Sequence, residues 1–162
     1  MYFQLLKKGE EAYKTYSVNN LFHINEKTKK GVKIELKKFN LMKYVPSINK
    51  SVPVECVFQA GKVFQNGGPY FDILEKQPWE AKRDERLRTS GNLIAFEFEG
   101  KRYPLEPKTA FYDMIYIEAL NENPELAAKV LEYDAFTDIE FNPDKSINCQ
   151  AKACALFKAQ SV

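Results

Sequence analysis

The chain has 162 residues, a formal net charge of +2, 44% apolar residues, 14% aromatic residues and only seven glycines. That size and balance predict one ordered globular domain and exclude a fibrous or disordered chain. No window approaches the roughly 18 consecutive apolar residues of a membrane span, and the N-terminus lacks the apolar core of a signal peptide, so a soluble, cytoplasmic protein without membrane partners is expected.

The charge is unevenly spread: residues 1–50 hold eleven lysines against four acids, for +7, and the remainder carries −5. A basic first third suits a polyanion, although lysine-rich surfaces also serve solubility. Met1-Tyr-Phe-Gln4 resembles the end of a protease-cleavage tag and reads equally well as a native start. The apolar knot Leu21-Phe22-His23-Ile24 predicts a short helix or strand, and Val32, Ile34 and Leu36 alternate with charged neighbours as a half-buried strand does. Residues 39–53 read as a loop.

A helix is expected from Val54 to Phe64, opened by Pro53 and stopped by Gly67-Gly68-Pro69. Val54, Val57, Phe58, Gly61 and Phe64 would form its apolar side. Glu55, Gln59 and Lys62, at i, i+4 and i+7, would line the other: an acid, an amide and an amine in one row. A second helix is expected over Trp79–Arg88, with Asp84 pairing to Arg88 across one turn. Ile94, Phe96 and Phe98 predict a strand that turns at Gly100 and returns through Arg102-Tyr103.

Pro107 is expected to start a helix with Phe111, Met114, Ile115 and Leu120 inward, flanked by Asp113 and Tyr116. Asn123-Pro124 opens another, with Leu126, Val130 and Leu131 inward. Phe136–Phe141 reads as a short strand, and Ser146 as the cap of a last helix carrying Ala153, Leu156 and Phe157. The pattern is a helix-rich α+β single domain with a small antiparallel sheet.

Cys56, Cys149 and Cys154 are an odd number with no Cys-x-x-Cys pair, and His23 is the only histidine, which argues against a disulfide framework, a metal site and a histidine-based triad. Phosphate-loop, dinucleotide and nucleophile-elbow signatures are missing from the sequence. Acid–base chemistry is what remains. A glutamate in a first helical turn beside a lysine can move a proton at a sugar centre, and Gly67-Gly68 would let backbone N–H groups approach a phosphate. Taken alone, such a polar face is more often simply solvated.

The segment Val54-Glu-Cys-Val-Phe-Gln-Ala-Gly-Lys-Val-Phe64 resembles the Glu-His-x-Phe-Gln-Ala-x-Lys-Phe segment of the NADAR family. Gly67-Gly68-Pro69-Tyr70, Ala81-Lys-Arg-Asp84, Thr109-Ala-Phe-Tyr-Asp113, Phe136-Thr-Asp-Ile-Glu-Phe-Asn-Pro143 and Ser146-Ile-Asn-Cys-Gln-Ala151 are similar to its DarT-associated branch. The resemblance implies removal of ADP-ribose from guanine in DNA, with no cofactor, by an antitoxin or phage factor paired with a DarT ADP-ribosyltransferase. It further implies Glu55 as acid/base, Lys62 as charge stabiliser or as a nucleophile giving a Schiff base, and Gln59 orienting the ribose. Lys82 and Arg83 would meet phosphates, while Gly67, Gly68, Tyr70, Asp113, Asp138, Glu140 and Asn148 would shape the pocket. Cys56 stands where the family often has histidine, and Asn142-Pro-Asp-Lys145 lacks the family's Trp-Gly, which leaves the base-stacking residues unassigned. Two other readings are a non-catalytic binder of ADP-ribose, nucleic acid or toxin, and an N-glycosidase acting on a phosphoribosyl-amine of riboflavin breakdown.

Overall fold

A computed structural model describes residues 21–24, 31–34, 41–133, 136 and 150–161. The fold is α+β, and every sheet among the described residues is small and antiparallel. The chain falls into two compact units: Leu41–Glu122, and the segments that precede and follow it. None of the described helices is long and apolar enough to cross a membrane.

In the flanking unit, β1 (Leu21–Ile24) pairs with β2 (Gly31–Ile34) in the register Leu21↔Ile34 to Ile24↔Gly31. Two helices, α5 (Pro124–Leu131) and α6 (Gln150–Gln160), pack together, with Leu126 and Val130 of the first and Ala153 and Phe157 of the second buried. Lys158 Nζ donates to the carbonyl oxygens of Leu131 and Tyr133, giving the end of α5 a cation where its unpaired carbonyls collect. Leu131, expected inward, is exposed. The expected strand Phe136–Phe141 and the cap at Ser146 lie outside the described residues, apart from Phe136, which is buried.

The central unit begins with a hairpin where a loop was expected. β3 (Met42–Val45) runs antiparallel to β4 (Lys50–Pro53), joined by a 3-10 turn at Pro46–Ile48. The inward face of β3 carries Val45 together with Lys43, which is 5% exposed. Lys43 is satisfied there by Glu122 at 2.6 Å, by Glu118 at 3.4 Å and by the Phe98 ring at 5.6 Å.

Three strands follow in the order β5 (Lys62–Phe64), β6 (Leu93–Phe98) and β7 (Lys101–Tyr103). The β6–β7 hairpin turns through Glu99 and Gly100, both at positive φ, as its tight connection requires. Helices α1 (Val54–Ala60) and α4 (Ala110–Asn121) pack against each other. Between them lies an aromatic core: Phe58 meets Phe96 at 5.4 Å and the edge of Tyr112 at 5.3 Å, and Phe96 stacks on Phe111 at 4.5 Å. Such pairs add about 0.5–1.5 kcal/mol each beyond the area they bury. Asp113 and Tyr116, expected to flank α4's core stripe, are themselves buried.

Two helices differ from expectation. The first ends at Ala60 rather than Phe64, because the chain turns at Gly61 and enters β5, where Lys62 pairs with Phe96. Gly61 permits this: a Cβ there would lie 2.8 Å from the Glu97 carbonyl oxygen and 3.1 Å from the Phe111 ring. The expected helix Trp79–Arg88 is two single-turn pieces, α2 (Pro78–Ala81) and α3 (Arg86–Thr89). Asp84 divides them by accepting from the backbone N–H of Arg86, the local competition that short acidic side chains offer to a helix. It pairs with Arg86 and Lys76, not with Arg88.

Candidate active site

Glu55 sits in the first turn of α1, where the unpaired N–H groups of a helix favour a carboxylate. One turn on, Gln59 is buried and its Nε2 donates to Glu55 Oε1 at 2.7 Å. Lys82, just past α2, brings Nζ to 3.3 Å from the other oxygen, Oε2. The carboxylate is thus held from two sides by groups of opposite construction. Gln59 is fixed within the fold, whereas the Lys82 side chain is 61% exposed and free to exchange partners. Because the amide nitrogen of Gln59 faces Glu55, its Oε1 points elsewhere, buried and without a hydrogen-bond partner among the described residues.

Lys62 enters the same neighbourhood from β5. Its ammonium lies 4.9 Å from the centre of the Phe58 ring, in cation–π range. Burial pushes its pKa below the ordinary lysine value and the nearby charge of Lys82 adds to this, while Glu55 pulls the other way. The amine is therefore easier to deprotonate than a surface lysine. The i, i+7 helical spacing that grouped it with Glu55 does not exist, yet the grouping does, through strand pairing instead.

Cys56 is buried, and its Sγ donates to the Lys76 carbonyl at 3.2 Å. Burial first, then Glu55, pushes its pKa up to about 11, so the thiol stays protonated at neutral pH and is no nucleophile.

Gly67 and Gly68 close the turn after β5. Phe64 N–H bonds to the Gly67 carbonyl at 2.7 Å, and Gly68 has φ +82°, with a Cβ there colliding with the Lys62 carbonyl oxygen. Tyr70 is tied by its hydroxyl to Ser90, by its N–H to the Ala60 carbonyl, and by its ring to Phe64 and Arg86. These three residues therefore set the path of the chain beside Lys62. Asp113 is buried in the first turn of α4, the helix against which α1 packs. Arg83 is exposed beside Trp79. Asp138, Glu140 and Asn148 lie outside the described residues.

Two features escaped the periodicity argument. One is the Lys82–Glu55 pair, which joins separate segments. The other is the hub at Arg86, whose guanidinium binds Asp72 at 3.1 and 2.6 Å and Asp84 at 2.9 and 2.8 Å, while Lys76 meets Asp84 at 2.6 Å. Side-chain hydrogen bonds from Arg86 hold both carboxyls below their usual range, Asp84 furthest.

This α+β unit gathers a glutamate, an amide and an amine of lowered pKa on one helix and its neighbouring strand, groups able to do acid–base chemistry. A family model described as the DarT1-associated NADAR antitoxin matches residues 6–161, and the chain belongs to that family. A search of curated proteins finds no match.

Proposed function

We propose that this DarT-associated antitoxin is an N-glycosidase that hydrolyses ADP-ribose from ADP-ribosylated guanine in DNA, reversing the toxin's modification. The observation that carries the reading is the Glu55 carboxylate, held by Gln59 and Lys82 within the field of the half-buried Lys62 amine. The family match running continuously across both units also supports treating the chain as one working domain.

In the reaction, Glu55 takes a proton from water as the water oxygen bonds to the anomeric carbon. The bond from that carbon to the guanine nitrogen breaks, and the nitrogen recovers a proton from the Glu55 carboxyl. The products are free ADP-ribose and unmodified guanine. Gln59 keeps Glu55 in one orientation and with it orients the ribose. Lys82 and Arg83 meet phosphate oxygens. Lys62 either stabilises developing charge or attacks the anomeric carbon; reduction with borohydride during turnover distinguishes these, since only a Schiff base is trapped. Asp113 shapes the pocket in this reading, with Gly67, Gly68 and Tyr70 at its edge.

The test is release of ADP-ribose from a guanine-modified oligonucleotide by wild type and Glu55→Gln. Release by wild type alone is the expected result. No release by either removes the substrate assignment, and equal release by both removes Glu55 from the chemistry.

A further inference from the structure

Trp79 is the only tryptophan in the chain and is 60% exposed. Ala81, fully buried, is the residue that α2 turns inward. An indole left in water offers a flat face on which a base can stack. Lys82 and Arg83 follow it at i+3 and i+4, the spacings that share one side of a helical turn. Arg83 lies 6.0 Å from the ring centre, at the outer limit of cation–π range and too far to close the ring off. Lys82 reaches inward to Glu55. Of the nearby acids, Glu80 accepts from the Gln77 N–H at 3.0 Å and Asp84 is taken by Arg86 and Lys76, while Glu85 is exposed. The outcome is one exposed aromatic face beside two cations, adjoining the candidate catalytic carboxylate.

We infer that Trp79 and Arg83 form a docking platform for single-stranded DNA next to the reacting nucleotide, a base stacking on the Trp79 indole while Arg83 takes a backbone phosphate. This combination binds strands of any sequence, since every base offers a π-face and every nucleotide a phosphate. The platform rests on the proposed DNA substrate, but not on hydrolysis.

Because Trp79 is the sole tryptophan, its emission reports on this surface directly. A short, unmodified, guanine-containing single-stranded oligonucleotide is titrated into the full-length protein at low salt, and its affinity for variants is followed by anisotropy of a labelled copy. The expected result is quenching of Trp79 emission, about 5- to 150-fold weaker binding by Trp79→Ala, and near-normal binding by Trp79→Phe. Arg83→Ala reduces the slope of log affinity against log salt by about 0.7. Unchanged emission, or equal binding by Trp79→Ala and wild type, overturns the inference. So does quenching by free ADP-ribose but not by the oligonucleotide, which would assign Trp79 to the nucleotide pocket itself. Quenching by DNA in a protein that never releases ADP-ribose would uphold the platform and remove the hydrolase reading, so the two fail separately.

Discussion

Gln59 Nε2 donates to Glu55 Oε1 at 2.7 Å, and that single bond decides where the other end of the amide points. A carboxylate can only accept, so the amide must turn its NH2 toward Glu55 and direct its oxygen away. That oxygen is left buried and without a hydrogen-bond partner among the described residues.

Gln59→Glu inverts this logic at constant size. It places a second carboxyl against Glu55 and removes the donor, so turnover is expected to fall about 100-fold or more. Gln59→Leu should lose the orientation of Glu55. The check is ADP-ribose release at saturating substrate, with circular dichroism to confirm folding. Wild-type turnover in Gln59→Leu would show that the amide is only structural.

Lys62→Met should give a more stable, inactive protein. The Lys62 pKa is lower in the folded chain than in the unfolded one, chiefly through burial. Its protonated form therefore opposes folding below the folded value, and the penalty fades as pH rises toward the unfolded value of about 10.4. Replacement by an apolar side chain is expected to raise Tm at pH 7 by about 1–4 °C, with a smaller gain above pH 10. Activity should fall about 100-fold or more. A lower Tm at pH 7 would show that the cation–π contact with Phe58 outweighs burial.

Asp84→Asn should destabilise the fold by about 1.5–3 kcal/mol at pH 7, the range for hydrogen bonds to charged groups. Asp84 has its pKa depressed by Arg86 and Lys76, so its contribution is present above the unfolded value of about 3.9 and lost as pH falls through the folded one. Urea unfolding of both proteins at pH 7 and pH 3 measures this. The gap between wild type and variant should narrow at the lower pH; a constant gap would mean that shape rather than charge is responsible.

Gly61→Ala should cost about 1–3 kcal/mol, the usual range for overpacking. The backbone at Gly61, φ −73°, tolerates alanine, so the penalty comes from the collision with the Glu97 carbonyl and the Phe111 ring. A shift of the urea midpoint at constant slope would report it. A neutral result would mean that β6 and α4 can give way together.

Local periodicity captured what local forces determine. Glu55 and Gln59 do share a helix face, and the β6–β7 hairpin and α5 lie where turn and cap residues placed them. It missed what distant partners decide. The helix carrying Glu55 stops at Ala60 because β6 pairs with Lys62–Phe64, and no count along residues 54–64 contains β6. The β3–β4 hairpin was hidden because one of its inward residues is Lys43, which reads as surface until Glu118 of α4 and Glu122 just past its end arrive. Asp84 appeared to belong to Arg88 by helical spacing, but the turn it caps forbids that helix.

Arg86 grips Asp72 and Asp84 at once, and Lys76 closes on Asp84 from within the same stretch. The chain from Asp72 to Arg86 is thereby stapled at its two ends around α2. Lys82 and Arg83 are thus carried on a brace whose ordering cost has been met during folding rather than at the moment of encounter. A partner meeting this edge finds backbone already set and has only exposed side-chain rotamers to arrest. Neutralising Arg86 would return that cost to the binding step.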